Sequence, residues 1–332
     1  MWQPRASLTT LRQRARLLAA ARAFFHGRGL LEVETPALVR HAVTDPHLRN
    51  VDVQLASGEH LFLHTSPEFH MKRLLAAGAP DLWQLGKVFR DGESGRRHEP
   101  EFTMIEWYRH DYTLDELATE TCSLLQALAQ EAETAGATPG FGRLGPTRWT
   151  YATLFEAATG IDPLAAGPAE LKSRAGELLG PDALAGTGME AVDEPTLWLD
   201  LLMSHAIARF LADTDIAVVT GYPASQAALA RLDPTDRRIA ERLEVFCRGI
   251  EVANGYRELR DPAEQERRFA SDRAMRSRLG LPDVVPDPAL LAALEHGLPD
   301  CAGVAVGFDR VVMVLLGLDS LQDTLSFPVR EG

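Results

Sequence analysis

Between Phe89 and Tyr108 the chain reads FRDGESGRRHEPEFTMIEWY: a strand-like end, a polar loop, and a second strand whose character alternates. At the two-residue period of a strand, Phe102, Met104, Glu106 and Tyr108 share one face, and Thr103, Ile105 and Trp107 share the other. The second face has the composition of ordinary sheet packing. The first sets an aromatic plate, a carboxylate and a phenol in a row, with Arg90 and His98 just upstream. Phosphates, a flat base and a cationic amine would each find a partner there. Taken alone, the run also fits a half-buried strand with a satisfied glutamate.

Two further segments carry candidate chemistry. Glu244–Glu258, EVFCRGIEVANGYRE, folds into a hairpin if the chain turns near Arg248-Gly249. Glu244 and Glu251 then approach on adjacent strands, where a cation such as Mg²⁺ would join them. Asn254, Tyr256 and Glu258 share a face of the returning strand. Solvated charges on an exposed sheet are the alternative. Gly303–Arg310, GVAVGFDR, has glycines that allow a ligand close to the backbone, and puts Arg310 in the first turn of a helix. A cation there opposes the helix dipole unless an anion is bound. The alternative is a buried strand with a structural Asp309–Arg310 pair.

The elements that must position these groups are readable in outline. Thr10–His26 has the spacing of an amphipathic helix stopped by Gly27 and Gly29, and Leu30–Thr35 reads as a strand. Leu61–Phe89 reads as strand, helix around Glu68–Ala76, and strand. Thr113-x-x-Glu116 is a capping box opening a helix to Leu128. Ala135–Pro146 reads as a linker or surface loop, and residues 149–213 as mostly helical, without nameable chemistry. Strands are expected at Ile216–Thr220, across Leu243–Leu259, and at Val304–Val306 before a helix near Asp309. Strict βαβ alternation is missing, so the expected class is α+β with a largely antiparallel sheet.

Bulk properties narrow the field. The 332 residues are 45% hydrophobic and 24% charged, as in globular proteins. The net charge of −13 weakens any general nucleic-acid-binding reading without excluding a local basic patch. Cys122, Cys247 and Cys301 lack CxxC spacing and suggest reduced thiols in a cytoplasmic protein. Nothing reads as an export signal, and the apolar run Gly303–Leu318 is too short to span a bilayer.

In order, Gly29–Pro36 (GLLEVETP), Phe89–Tyr108 and Gly303–Arg310 resemble motifs 1, 2 and 3 of class II aminoacyl-tRNA synthetases. TSPEFHMKRL (Thr65–Leu74), RHEPEFTMIEWY (Arg97–Tyr108) and EVANGYREL (Glu251–Leu259) resemble the lysyl branch. Motif 1 falls within the first forty residues, so the resemblance implies one catalytic domain over residues 1–332 without an OB-fold anticodon-binding domain. PDCAGVAVGFDR (Pro299–Arg310), with Ala305 where lysyl synthetases have glycine, and YPASQAALA (Tyr222–Ala230) resemble stand-alone paralogues, the elongation factor P–(R)-β-lysine ligases.

That resemblance implies ATP and Mg²⁺, (R)-β-lysine as substrate, and elongation factor P as protein acceptor, with no tRNA or membrane partner. It implies a homodimer through the motif 1 region at Pro36. Arg90 would hold the α-phosphate, Phe102 would stack on adenine with Arg310 on the other side, and His98 would meet the triphosphate. Glu244 and Glu251 would carry the metal. Glu106, Tyr108 and Glu258 would bind the distal ammonium, with Glu68 and Asn254 orienting the substrate's other polar end. The Ala305 methyl would disfavour an α-amine and tolerate a β-amine. Two departures stand out. Glu93 lies one place beyond the usual motif 2 glutamate, so it reaches adenine through a shifted loop or backbone alone reads the base. Glu99 replaces an asparagine near the nucleotide. Arg96 and Arg97 would either touch the acceptor or form a solvated loop. A lysyl-tRNA ligase without its anticodon domain, and a catalytically silent regulator, are the alternative functions.

Overall fold

The computed structural model describes residues 2–137, 141, 145–180 and 194–329. Among them an eight-stranded sheet has the spatial order β1 (Leu31–Glu32), β5 (Leu82–Phe89), β6 (Glu101–His110), β11 (Cys301–Gly307), β10 (Ile250–Arg257), β9 (Ile239–Cys247), β8 (Ala217–Pro223), β7 (Thr147–Thr150). The two edge pairs are parallel and the pairings between them antiparallel. A smaller sheet orders β2 (Leu38–Val39), β4 (His60–Leu63) and β3 (Val51–Gln54). Backbone bonds from Phe89 N to His64 O and from Asp91 N to Arg49 O tie it to the end of β5.

One face of the large sheet is the main core. Helices α1 (Leu8–His26), α3 (Leu114–Thr134) and α10 (Phe308–Leu316) bury Leu17, Phe25, Leu124 and Phe308 against Ile105, Trp107, Val245 and Val304. Ser7 caps α1, and the Thr113/Glu116 capping box opens α3, satisfying backbone donors that a helix start leaves unpaired. The cleft occupies the other face, beside α2 (Glu68–Ala76), α8 (Pro262–Arg278) and α9 (Pro288–Gly297). A second core holds α4 (Tyr151–Thr159), α5 (Pro168–Leu179) and α6 (Pro195–Leu202), which continues through a π turn at Met203–Ile207 into α7 (Ala208–Phe210). Residues 181–193 of the expected helical stretch lie outside the described part.

Several expectations need correction. Only Leu31–Glu32 of the segment Leu30–Thr35 pairs as a strand. Residues 138–140 and 142–144 of the expected loop lie outside the described part, but Phe141 is buried in the main core beneath the Arg248 guanidinium. Helices α8 and α9 were not anticipated. Each starts with an Asp N-cap followed by Pro at the first helical position, Asp261-Pro262 and Asp287-Pro288, a signal the sequence does contain.

Candidate active site

Register assembles the site. Residues opposite one another on antiparallel strands share a sheet face. One row across this face of the sheet is therefore Gln84, Glu106, Ala305, Asn254 and Glu244; the next is Leu82, Tyr108, Gly303, Tyr256 and Arg242. Gly303 cannot carry a side chain here, because a Cβ would lie 2.3 Å from the Tyr108 ring and 2.7 Å from Glu258 Oε1. Glu251 and Asn254 are three residues apart and would face opposite sides of a regular strand. The extra residue Val252 in a bulge between Glu251 and Ala253 shifts the register, and both side chains reach the cleft. The β9–β10 hairpin closes through Arg248 and Gly249, both with positive φ, as a tight two-residue turn requires. Gly249 packs so near Ala208 O that a Cβ would stand 2.0 Å from it.

The cleft holds about 1250 Å³, and of the residues expected to bind ATP, metal or amino acid all line it except Glu244. Its acidic end is built on α2, β6 and β10. Glu106 accepts from Ser66 Oγ at 2.7 Å and from the Tyr108 phenol at 2.8 Å. Burial, with Glu68 nearby, pushes the Glu106 carboxyl up to about 7. Burial and the repulsion of Glu68 push Glu258 up to about 8 against the pull of Lys72. Lys72 was not anticipated. It is 2% exposed, and its Nζ lies 2.6 Å from both Glu68 Oε1 and Glu258 Oε2. Burial alone would lower its pKa, but Glu258 and Glu68 outweigh that and raise it. Glu68 and Glu258, expected to meet substrate alone, thus already share one internal ammonium. In the sequence, Glu68 and Lys72 look like an ordinary surface pair at i,i+4; only the fold buries them.

The other end is cationic. Arg90 follows β5, its guanidinium stands 5.1 Å over the Phe102 ring, and Glu93 and Arg310 lie near enough to bias its charge. Its Nε is buried, and its guanidinium makes no ion pair or hydrogen bond among the described residues. A partly buried cation left in that state is costly unless an anion arrives. Arg310, in the first turn of α10, donates to Glu251 O at 3.0 Å and Arg97 O at 3.2 Å and lies 3.7 Å from the Glu251 carboxylate. His98 lies 3.4 Å from Glu93, and burial together with Arg310 lowers its pKa, favouring the neutral ring. The moved Glu93 therefore does face the cleft. Glu99 does not serve it: 1% exposed, it accepts from Gln322 Nε2 at 3.0 Å and from Val329 N, anchoring the C-terminal segment. Asp309 is structural, accepting from Thr103 N and pairing with Arg14. Arg96 is exposed, near Asp319.

Glu244 lies just behind the floor. Arg242, also missed in the sequence, donates to it, to Gln226 O at 2.6 Å and to Asn254 Oδ1 at 3.3 Å. Burial and Glu251 push Glu244 up to about 7. Two mutually repelling carboxylates next to an unpaired arginine fit a divalent cation brought in with phosphate.

A mostly antiparallel sheet that sets an aromatic ring and two arginines, from a strand end and a helix start, in one cleft is the architecture of a class II synthetase domain. The chain belongs to the class II tRNA synthetases (D, K and N), whose family model matches residues 3–331. Among curated proteins it is similar to the elongation factor P–(R)-β-lysine ligase of Vibrio parahaemolyticus, 44% identical over 98% of each chain. The Vibrio vulnificus ligase of the same name is 45% identical over 98% of each chain. That of Yersinia enterocolitica is 43% identical over 99% of this chain and 97% of its own.

Proposed function

We propose that this protein is an ATP-dependent ligase that activates (R)-β-lysine as an aminoacyl-adenylate and passes it to a lysine of elongation factor P. The observation that carries this reading is the charge count at the acidic end. Glu68, Glu106 and Glu258 face one Lys72, two negative charges in excess when all are ionised. A diamino acid brings two ammonium groups, while a monoamine would leave a buried carboxylate unpaired. The full-length similarity to ligases of that name supports the same choice.

In the first step the substrate carboxylate attacks the α-phosphorus of ATP and pyrophosphate leaves. Arg90 lies where charge at that phosphate would build, Phe102 offers its ring to adenine, and Arg310 and neutral His98 face the rest of the triphosphate. Glu93 serves the adenine end. Glu244 and Glu251 would hold Mg²⁺, which supplies charge neutralisation at the phosphates. Glu106, Tyr108 and Glu258 take the distal ammonium, Glu68 and Asn254 the other amine and its neighbourhood, and the Ala305 methyl selects the β-amine. In the second step the acceptor's neutral ε-amine attacks the acyl carbon, AMP leaves, and the amine loses a proton. Catalysis is chiefly positioning and electrostatics.

We also infer one catalytic unit over residues 1–332 with a helical insertion at 149–213, working as a homodimer in the cytoplasm. The test is mass spectrometry of elongation factor P after incubation with protein, ATP and candidate amino acids. A gain of one lysyl unit with β-lysine is expected. Charging of tRNA instead, or modification by α-lysine with β-lysine ignored, would overturn the substrate assignment.

A further inference from the structure

The buried lysine of the acidic end has no part in the reaction steps above, yet it is among the most enclosed side chains of the molecule. Its Nζ takes Glu68 Oε1 and Glu258 Oε2, one oxygen from each carboxylate. Both Glu106 oxygens are taken by Ser66 and Tyr108. No hydrogen bond among the described residues reaches Glu68 Oε2 or Glu258 Oε1, and both residues line the cleft. Glu258 Oε1 is the atom lying over Gly303 on the floor. Two acceptor oxygens on two carboxylates, held by one internal ammonium, are left for a ligand.

We propose that Lys72 is a specificity-determining positioning residue, which clamps Glu68 and Glu258 so that each turns one oxygen to the cleft and cancels one of three carboxylate charges, leaving a pocket matched to two amines. The inference rests on the diamino-acid reading of the site but not on the acceptor. An unclamped pair of carboxylates has more rotamers and a larger charge excess. It would bind protons in place of the second amine. Lys72 does not touch the ligand; it acts through Glu68 and Glu258. The groups facing this cluster are Glu68 from α2, Glu106 and Tyr108 from β6, Tyr256 and Glu258 from β10 and its end, and Cys301 from β11. Of these, Glu106 and Glu258 are pushed up by burial to about 7 and about 8.

The test uses Lys72→Met and Lys72→Arg in the full chain, with calorimetric binding of α-lysine, β-lysine and a monoamine analogue beside pyrophosphate exchange across pH. Lys72→Met is expected to weaken diamino-acid binding ~10-fold or more and to narrow its advantage over the monoamine. The acidic limb of the kcat/KM profile for the amino acid should move up by ~1 pH unit or more, with the KM for ATP little changed. Lys72→Arg, which keeps the charge, should leave that limb near its original place even if affinity falls. A uniform loss of kcat with unmoved limb and unchanged discrimination would overturn the proposal. If Lys72→Met does not fold, Lys72→Arg decides: a limb displaced as the charge-count argument expects only for charge loss overturns it. A protein that binds diamines but leaves elongation factor P unmodified loses the functional reading alone; one that binds no diamine loses both.

Discussion

At the scale of single residues, the site holds groups in states that disfavour the empty fold and favour a ligand. Arg90 is the clearest case, a half-buried guanidinium whose Nε is shut off from solvent and which has no ion pair among the described residues. Arg90→Met should therefore leave the melting temperature equal or higher, because a partly desolvated unpaired charge is removed. The same variant should slow pyrophosphate exchange ~10²–10³-fold, the usual loss when one preorganised donor to developing charge is deleted. Differential scanning fluorimetry and exchange on one preparation read both, and a destabilised variant would contradict this account. Ala305 makes a second residue-scale prediction. Its methyl sits between Glu106 and Asn254 on the floor, and one methyl changes substrate discrimination by ~1–3 kcal/mol. Ala305→Gly should shift the α-lysine to β-lysine ratio of exchange rates toward α-lysine, and an unchanged ratio would remove the methyl from the argument. Phe102, Glu106 and Tyr108 were legible because a strand's two-residue period alone puts them together, and Arg90 because it follows the strand just upstream. Lys72 and Arg242 were not, since charge four residues from a glutamate, or two, is the commonest pattern of an exposed surface.

At the scale of elements, close approach between strands and side chains sets the shape of the pocket. Gly303 lets the Tyr108 ring and Glu258 lie flat across β11. Gly303→Ala forces both aside, so the KM for the amino acid should rise ~10-fold or more while that for ATP changes little. Steady-state exchange with each substrate varied in turn separates the two, and equal effects on both would show that β11 had moved as a whole. The hairpin, the capping box and helix α2 could be read from turn residues, cap residues and periodicity. The bulge at Val252 could not, because a single inserted residue leaves no mark on composition, yet it brings Glu251 and Asn254 to one face. The short strands β2 and β3 likewise depend on tertiary pairing that no local pattern announces, whereas β4 was expected at Leu61. Helices α8 and α9 were readable from their Asp-Pro starts.

At the scale of the whole molecule, burial couples the site to stability through pH. Glu106 and Glu244 titrate at about 7 and Glu258 at about 8, all above the ordinary carboxylate range, chiefly because they are desolvated. A carboxyl whose folded pKa is raised binds more protons in the native than the unfolded state between the two values. Its contribution is present below the unfolded pKa and lost as pH rises through the folded one. The empty protein should therefore melt at progressively lower temperature as pH rises from about 5 to about 8 and level off above that, losing on the order of a few kcal/mol in all. Ligand ammonium groups pair the same carboxylates when they are charged, so β-lysine should restore more stability at pH 8.5 than at pH 6.5. Binding at pH 7 should release protons, seen as a buffer-dependent enthalpy in calorimetry. A flat melting temperature across this range, or proton uptake on binding, would mean that these carboxylates are ionised in the empty cleft and that its charge is balanced by something other than substrate.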